Sequence, residues 1–235
     1  ESDANGTTAV TWPIQQLLWA DAGAWGLIVG REWPVGTEVT LEIDDPSTPQ
    51  PVDYSETKYS EIDECPRAWF SPADNGFVLE PGFVITLSDG FITRTLTVSS
   101  LQVTEANPGS DLVAGTAAPF SGLWVSAGLE IGSSGRWVQA DASGNWVADF
   151  SEPWRDQAAF DIEVGVSLDA TQWDDDLDYT TRHWDVVQPY LVASITVDDI
   201  QVMDYSPNAV ITAEVYDTAS SSLLGSATVE TDSQG

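Results

Sequence analysis

The feature that most constrains this chain is the alternation of apolar and polar residues in short segments along almost its whole length. In the segment 38–43 the side chains of Val39, Leu41 and Ile43 fall on one face, and the segment 91–98 alternates in the same way. A period of two residues is that of a β-strand with one buried face. The sequence therefore predicts an all-β fold.

Turn signals separate these segments at the intervals typical of sandwiches and barrels. They are Asp89-Gly90, Asn107-Pro108-Gly109, Ser134-Gly135, Ser143-Gly144-Asn145 and Ser206-Pro207-Asn208. Further strands are predicted at 77–87, which Pro81-Gly82 divides, and at 101–104, 112–115, 123–131, 137–140, 146–150, 160–166, 183–187, 191–197, 210–216 and 225–231. The segment 12–22, WPIQQLLWADA, is the strongest candidate for a helix.

An internal repeat divides the chain into units. A proline turn, a small residue and an alternating strand recur after residues 33, 118 and 205, and the last two copies continue into an Asp-x-x-Gly turn that predicts a hairpin. We expect an N-terminal arm at 1–22, two repeat domains at 23–106 and 107–190, and a partial third unit at 191–235. The third copy stops where its return strand is expected to begin.

The charge of the chain is strongly one-sided, with 38 acidic residues against 7 basic ones and a formal net charge of -31. Such a surface repels phosphate backbones and anionic lipid, so we expect no nucleic-acid partner. No apolar run approaches the roughly 20 residues of a transmembrane helix, so membrane insertion is not expected either. Three alternative properties would favour this acidity: solubility at high salt, cation binding, or colloidal repulsion between molecules.

Four segments of the chain together resemble a repeat of large secreted surface proteins of environmental bacteria. They are WPVGTEVTLEIDDP at 33–46, the segment 79–117, VQADASGNWVADFS at 138–151 and TQWDDDLDYTTRHWDV at 171–186, so the resemblance covers roughly 25–188. It implies tandem immunoglobulin-like β-sandwich domains, a secreted or cell-surface location and no known catalysis. The fold class expected is thus all-β, with an N-terminal arm and an incomplete C-terminal unit.

One acidic segment has the spacing of a calcium loop. Asp174, Asp176 and Asp178 alternate, and Asp185 falls at the twelfth position of such a loop, so together they form the candidate Ca²⁺ site. The sixth position is Tyr179 where an EF-hand requires glycine, so the segment is not an EF-hand. A solvated acidic loop is the alternative interpretation.

Catalysis has little support in the sequence. His183 is the single histidine, and no Gly-x-Ser-x-Gly elbow accompanies it. One histidine and one cysteine also make a zinc site implausible. We therefore expect a protein that is not an enzyme.

The eleven tryptophans have two interpretations. Trp124, Trp137 and Trp146 lie in strand patterns and are expected in sandwich cores. Exposed tryptophans would instead stack on sugar rings, as in a carbohydrate-binding module.

The truncated third repeat and the apolar arm together favour a structural subunit of an extracellular filament or surface layer. A strand from another copy would complete the third unit by donor-strand exchange, which gives head-to-tail self-association. The assembly residues are expected in the arm, at Trp12, Ile14, Leu17, Leu18 and Trp19. The alternatives are a carbohydrate-binding or adhesin module that binds polysaccharide, with or without Ca²⁺, and a spacer in a longer surface stalk.

The segment Asn5-Gly6-Thr7 is the one glycosylation sequon. It predicts a modified Asn5 if the chain is exported.

Overall fold

The computed structural model describes residues 15–23, 25–63, 65–128, 134–194, 196, 199–205 and 209–231. The chain divides into two compact units, Glu1–Asp185 and Val186–Gly235. Strands dominate both, and the only helix among the described residues is a short 3₁₀ turn at Pro72–Asn75. The all-β prediction is confirmed.

The first unit begins with eight strands that form one sandwich. They are β1 (Leu17–Asp21), β2 (Ile28–Arg31), β3 (Glu38–Asp44), β4 (Tyr54–Tyr59), β5 (Glu61–Asp63), β6 (Cys65–Phe70), β7 (Val84–Ser88) and β8 (Thr93–Thr97). One sheet has the order β1-β2-β6-β5 and the other β4-β3-β7-β8. Buried side chains from both sheets meet in a single core, to which Leu18, Phe70 and Leu87 contribute.

Seven further strands form a second sandwich with the same topology. They are β9 (Gln102–Asn107), β10 (Leu112–Thr116), β11 (Gly122–Ala127), β12 (Ser134–Gln139), β13 (Asn145–Asp149), β14 (Ser167–Trp173) and β15 (Tyr179–Asp185). Its sheets have the orders β13-β10-β9 and β12-β11-β14-β15. If β5 is set aside, the strands of each sandwich pair in the order 1-2-5 and 4-3-6-7, which is the structural basis of the sequence repeat.

The alternating segments fold as their periodicity dictates. Along β3, Val39, Leu41 and Ile43 are fully buried, while Glu38 and Glu42, at alternate positions, are exposed. Burying an apolar side chain of this size stabilises a fold by about 1.5–3 kcal/mol. A shift of one residue in the register would turn all three apolar side chains to water, so this pattern fixes how β3 pairs with its neighbours.

The helix predicted in 12–22 is a strand over its described part. Leu18 and Ala20 are buried on the inner face of β1, and Trp19 between them lies on the outer face. β1 pairs antiparallel with β2 on one side and parallel with β15 on the other. It is therefore an internal strand of a sheet, and residues 17–21 do not form the free arm expected from the sequence.

The parallel pairing of β1 with β15 joins the two sandwiches. It continues the β1-β2-β6-β5 sheet into the β12-β11-β14-β15 sheet, which gives one sheet of eight strands. The boundary between the two sandwiches lies between β8 and β9. It is a few residues before the boundary expected at 106.

Several local expectations differ from the structure. The Asp-x-x-Gly turn forms at Asp141, where the Gly144 N–H donates to the Asp141 carbonyl, but it joins two sheets instead of closing a hairpin. The segment 160–166 is not a strand, and residues 77–83 are irregular. Six strands carry weak or short apolar alternation and were not predicted, namely β2, β4, β5, β6, β14 and β17.

The second unit consists of two hairpins. The antiparallel pairs are β16 (Tyr190–Ser194) with β17 (Asp199–Met203), and β18 (Val210–Tyr216) with β19 (Leu223–Glu230). This pairing, first strand with second and third with fourth, is also that of the first four strands of each sandwich. An apolar groove of about 600 Å³ lies between the hairpins, lined in part by Val202, Ile211 and Val229.

Candidate functional site

The seam between the two sandwiches is where the chain brings together its most distant residues. Trp19 pairs with Tyr179, Ala20 with Thr180 and Asp21 with Thr181 along β1 and β15. The pairing continues past β1, because the Ala22 N–H donates to the Thr181 carbonyl at 3.0 Å.

A buried ion pair crosses the seam. Asp178, which immediately precedes β15, has a side chain that is 1% exposed, and its Oδ2 lies 2.8 Å from Nη2 of Arg94 on β8. The Nε of Arg94 donates to the same oxygen at 3.0 Å, and the Leu18 N–H donates to Oδ1 at 2.6 Å. Burial raises the pKa of Asp178, against the opposing effect of Arg94 and the Leu18 N–H. One carboxylate of the second sandwich is thus held by two elements of the first.

The four aspartates predicted to bind Ca²⁺ are not brought together. Asp174 caps the turn between β14 and β15, since its Oδ1 accepts from the N–H groups of Asp176 and Asp178. Asp178 faces Arg94, and Asp185 lies at the far end of β15, where it contacts His183 and Ser167. In the described part of the chain no group of three or more His, Cys, Asp or Glu side chains is placed to hold a metal ion. The spacing that resembles a calcium loop is that of a tight turn followed by an extended strand.

A row of aromatic rings crosses the outer face of the eight-stranded sheet. In order across the strands, the rings are those of Trp137, Trp173, Tyr179, Trp19 and Trp69. Neighbouring ring centroids are 5.9 to 6.3 Å apart. The first three residues belong to the second sandwich and the last two to the first, so the row exists as a unit only because β1 pairs with β15.

A glycine makes the row continuous at one end. Trp137 stacks on Trp173 from two strands away, across β11. A Cβ on Gly122 would lie 2.7 Å from Cζ2 of Trp137, so only the absence of a side chain there lets the indole lie over the strand. Trp137 is 52% exposed, which differs from the core position predicted for it. Trp146 is buried as predicted, and Trp124 is half-buried.

A polar cluster lies further along the same face of the sheet. The two ring nitrogens of His183 lie 3.0 Å from Oδ1 of Asp169 and 3.1 Å from Oδ1 of Asp185. The Trp25 ring stacks on the imidazole with a centroid distance of 4.1 Å. Both nitrogens of His183 are therefore occupied by carboxylates, and its ring face is covered.

Asp21 is the most enclosed carboxylate next to this cluster. Its Oδ1 accepts from the Gly23 N–H at 2.7 Å, whereas Oδ2 is buried and has no hydrogen-bond partner among the described residues. Burial raises the pKa of Asp21 above its ordinary value, and the hydrogen bond from the Gly23 N–H and the nearby charge of Arg182 oppose that rise.

The expected assembly residues have different placements. Leu17, Leu18 and Trp19 belong to β1, whose two edges are both paired within the chain, so they are not free to leave as a donor strand without opening the first sandwich. Trp12, Ile14 and the sequon residue Asn5 lie outside the described residues.

Sequence reasoning did not find Arg94 or the aromatic row. A lone arginine in an alternating strand gives no signal of a partner 84 residues away. The sequence held one signal of the row, which is that four tryptophans lie at outward positions of strands, namely Trp19, Trp69, Trp137 and Trp173. Only the pairing of the strands shows that these positions are aligned.

Comparisons with known proteins add little to this description. No protein-family model matches the chain, and a search of curated proteins found no match. The solved structures that match include one described as "Crystal structure of tetra-tandem repeat in extending region of large adhesion protein", with 12% identity and a TM-score of 0.24. The match covers 94% of this chain and 64% of that chain, which is less than two thirds of its length. A similarity at this TM-score does not bear on function.

Within the described residues, no helix has the length and apolar character needed to cross a membrane.

Proposed function

We propose that this chain is a non-enzymatic, load-bearing structural module of an extracellular surface protein, acting as a stiff spacer. The observation that carries the proposal is the parallel pairing of β1 with β15. These are the first described strand of the first sandwich and the last strand of the second.

The direction of the two strands determines how tension would act on them. The first described strand of the unit starts at Leu17 and its last strand ends at Asp185, and these two points lie at opposite ends of two adjacent parallel strands. A pull on the two chain ends therefore slides β1 and β15 past each other along their length. The hydrogen bonds between them then bear the load together, whereas strands pulled apart from one end lose their bonds one at a time.

The seam has further contacts that oppose sliding. The Asp178–Arg94 ion pair crosses it in a buried setting, and Nη2 of Arg94 also donates to the Asp176 carbonyl at 2.7 Å. The Ser99 N–H, between the sandwiches, donates to Oγ1 of Thr180 at 3.1 Å. Removing one member of a buried ion pair costs about 3–5 kcal/mol, because the other charge is then left buried without a partner. We therefore expect loss of either Asp178 or Arg94 to weaken the seam.

The extracellular and non-enzymatic parts of the proposal have separate support. The resemblance to repeats of secreted surface proteins supports an exported location. The single histidine is enclosed by Asp169, Asp185 and Trp25, which leaves neither ring nitrogen free to act on a substrate.

Stretching single molecules of the full chain by its ends tests the proposal. If one seam protects both sandwiches, the first unit extends in a single step of about 60 nm, from roughly 170 residues at up to 3.6 Å each. Two separate steps of about 30 nm each would mean that the sandwiches resist force independently, and that the seam is not the load-bearing element.

We also propose head-to-tail self-association through the second unit. The support is that, among the described residues, β17 pairs only with β16 and β18 only with β19, beside an apolar groove. In the two sandwiches of the first unit the corresponding strands, β2 and β3 and then β10 and β11, each pair with a second neighbour. Sedimentation velocity at micromolar concentration tests this, with Val202→Asp and Val229→Asp as groove variants. Assembly that survives both substitutions, or a chain that is monomeric throughout, would contradict it.

A further inference from the structure

The aromatic row offers a binding surface that the structural role does not require. Trp137, Trp173 and Trp69 are 52%, 36% and 37% exposed. They lie on the outer face of a sheet whose inner face already supplies the core. Exposed apolar side chains gathered in one patch mark an interaction site more often than scattered ones do.

We propose that this row binds a neutral polysaccharide in an extended conformation. A pyranose ring has one face of C–H groups, which packs against the π-face of an indole or phenol. The row presents several such rings in sequence, with neighbouring centroids 5.9 to 6.3 Å apart, so it suits a linear chain of sugars better than a single one.

Polar groups at the row are of the kind that sugar hydroxyls need. Nη1 of Arg31 donates to the hydroxyl of Tyr179 at 3.3 Å, and the guanidinium of Arg67, which also pairs with Asp63 at 3.7 Å, lies 5.4 Å from the ring centroid of Trp69. Guanidinium groups donate hydrogen bonds, and the phenol oxygen both donates and accepts.

The net charge of the chain indicates which charge class of polysaccharide can bind the row. A chain with a formal net charge of -31 repels polyanions over a Debye length of about 8 Å at physiological salt. Neutral polymers experience no such repulsion. The proposed occupant is therefore an uncharged polysaccharide, and binding of an acidic polysaccharide is an outcome that the test distinguishes.

Co-sedimentation of the full chain with insoluble cellulose and chitin, and affinity electrophoresis in soluble dextran and in alginate, test this proposal. We expect retention on at least one neutral polymer and none on alginate. Absence of retention on all the neutral polymers, or retention on alginate alone, would overturn it.

Variants of the row connect binding to these rings. Trp173→Ala removes the ring that touches both Trp137 and Tyr179, and we expect it to weaken binding about tenfold, with Trp173→Phe recovering part of the loss. Trp137→Ala, at the exposed end, serves if Trp173→Ala does not fold. Trp25→Ala is the matched control, because Trp25 is 49% exposed but lies outside the row, on His183. Equal binding by the row variants and the wild type, or an equal loss in Trp25→Ala, would contradict the assignment.

Discussion

The carboxylate of Asp178 in the second sandwich lies 2.8 Å from the guanidinium of Arg94 in the first, and both side chains are largely buried. These two residues are 84 positions apart; Arg94 lies on β8, in the four-stranded sheet of the first sandwich, and Asp178 lies just before β15. The seam is therefore held by a specific charged contact as well as by backbone hydrogen bonds.

Removing Arg94 alone is expected to leave an uncompensated buried carboxylate. We predict that Arg94→Met lowers the free energy of unfolding by about 3 kcal/mol, measured by urea denaturation. The double variant with Asp178→Asn retains an acceptor for the Leu18 N–H and is expected to be more stable than Arg94→Met alone.

An exposed ion pair provides the control for this cycle. Lys58 lies 3.1 Å from Glu56 with a side chain that is 39% exposed, so Lys58→Met is expected to change stability by less than about 1 kcal/mol. Strictly additive effects of Arg94→Met and Asp178→Asn would show that the pair contributes no coupling across the seam.

Close packing around Gly115 gives a second prediction. A Cβ there would lie 2.0 Å from the Gln102 carbonyl oxygen and 2.3 Å from the Trp146 ring, so backbone and ring must both move. We predict that Gly115→Ala costs about 3 kcal/mol in thermal or urea unfolding. Gly109→Ala, whose Cβ would meet only Oδ1 of Asn107 at 3.3 Å, is the control. If the two variants were equally stable, β9, β10 and β13 would not pack as described.

The buried carboxyl of Asp21 makes stability depend on pH. Burial raises its pKa in the folded protein above the ordinary value of 3.8, so the folded state holds the proton more tightly than the unfolded state. The resulting stabilisation is complete below pH 3.8 and is lost as the pH rises through the raised folded value.

The comparison with Asp21→Asn isolates this effect, because an asparagine still offers an oxygen to the Gly23 N–H. Relative to that variant, we predict that the wild type loses stability as the pH rises above 3.8 and reaches a plateau once Asp21 is ionised in the folded state. The measurement is urea unfolding of both proteins across that range. A stability difference that does not vary with pH would contradict the assignment.

Local patterns were enough to predict the fold class but not the seam. The alternation of Val39, Leu41 and Ile43 is enough to predict which face of β3 is buried, because a buried face can be recognised without knowing the partner strand. The pairing of Trp19 with Tyr179 joins residues that are far apart in sequence, and nothing near Trp19 specifies it. The short apolar segment around Leu18 could thus be interpreted as a helix or as a detached arm.

The acidic turn shows the same limit for site prediction. The spacing of Asp174, Asp176 and Asp178 fits a calcium loop as well as it fits a hairpin turn. What separates the two is the position of Arg94, which holds Asp178 inward. Exposed tryptophans were an alternative to core residues at the level of the sequence, but Trp137 was expected in a core, and only the strand order places it beside Trp173.

The load-bearing role of the seam is tested most directly by pulling the same chain in two geometries. Each uses the N-terminus and one introduced cysteine in a Cys65→Ser background, either Gln188→Cys just beyond β15 or Asp175→Cys in the turn before it. The first geometry slides β15 along β1, whereas the second peels β15 from the end that it shares with the start of β1. The account predicts a rupture force several times higher for Gln188→Cys than for Asp175→Cys. Equal forces in the two geometries would contradict it.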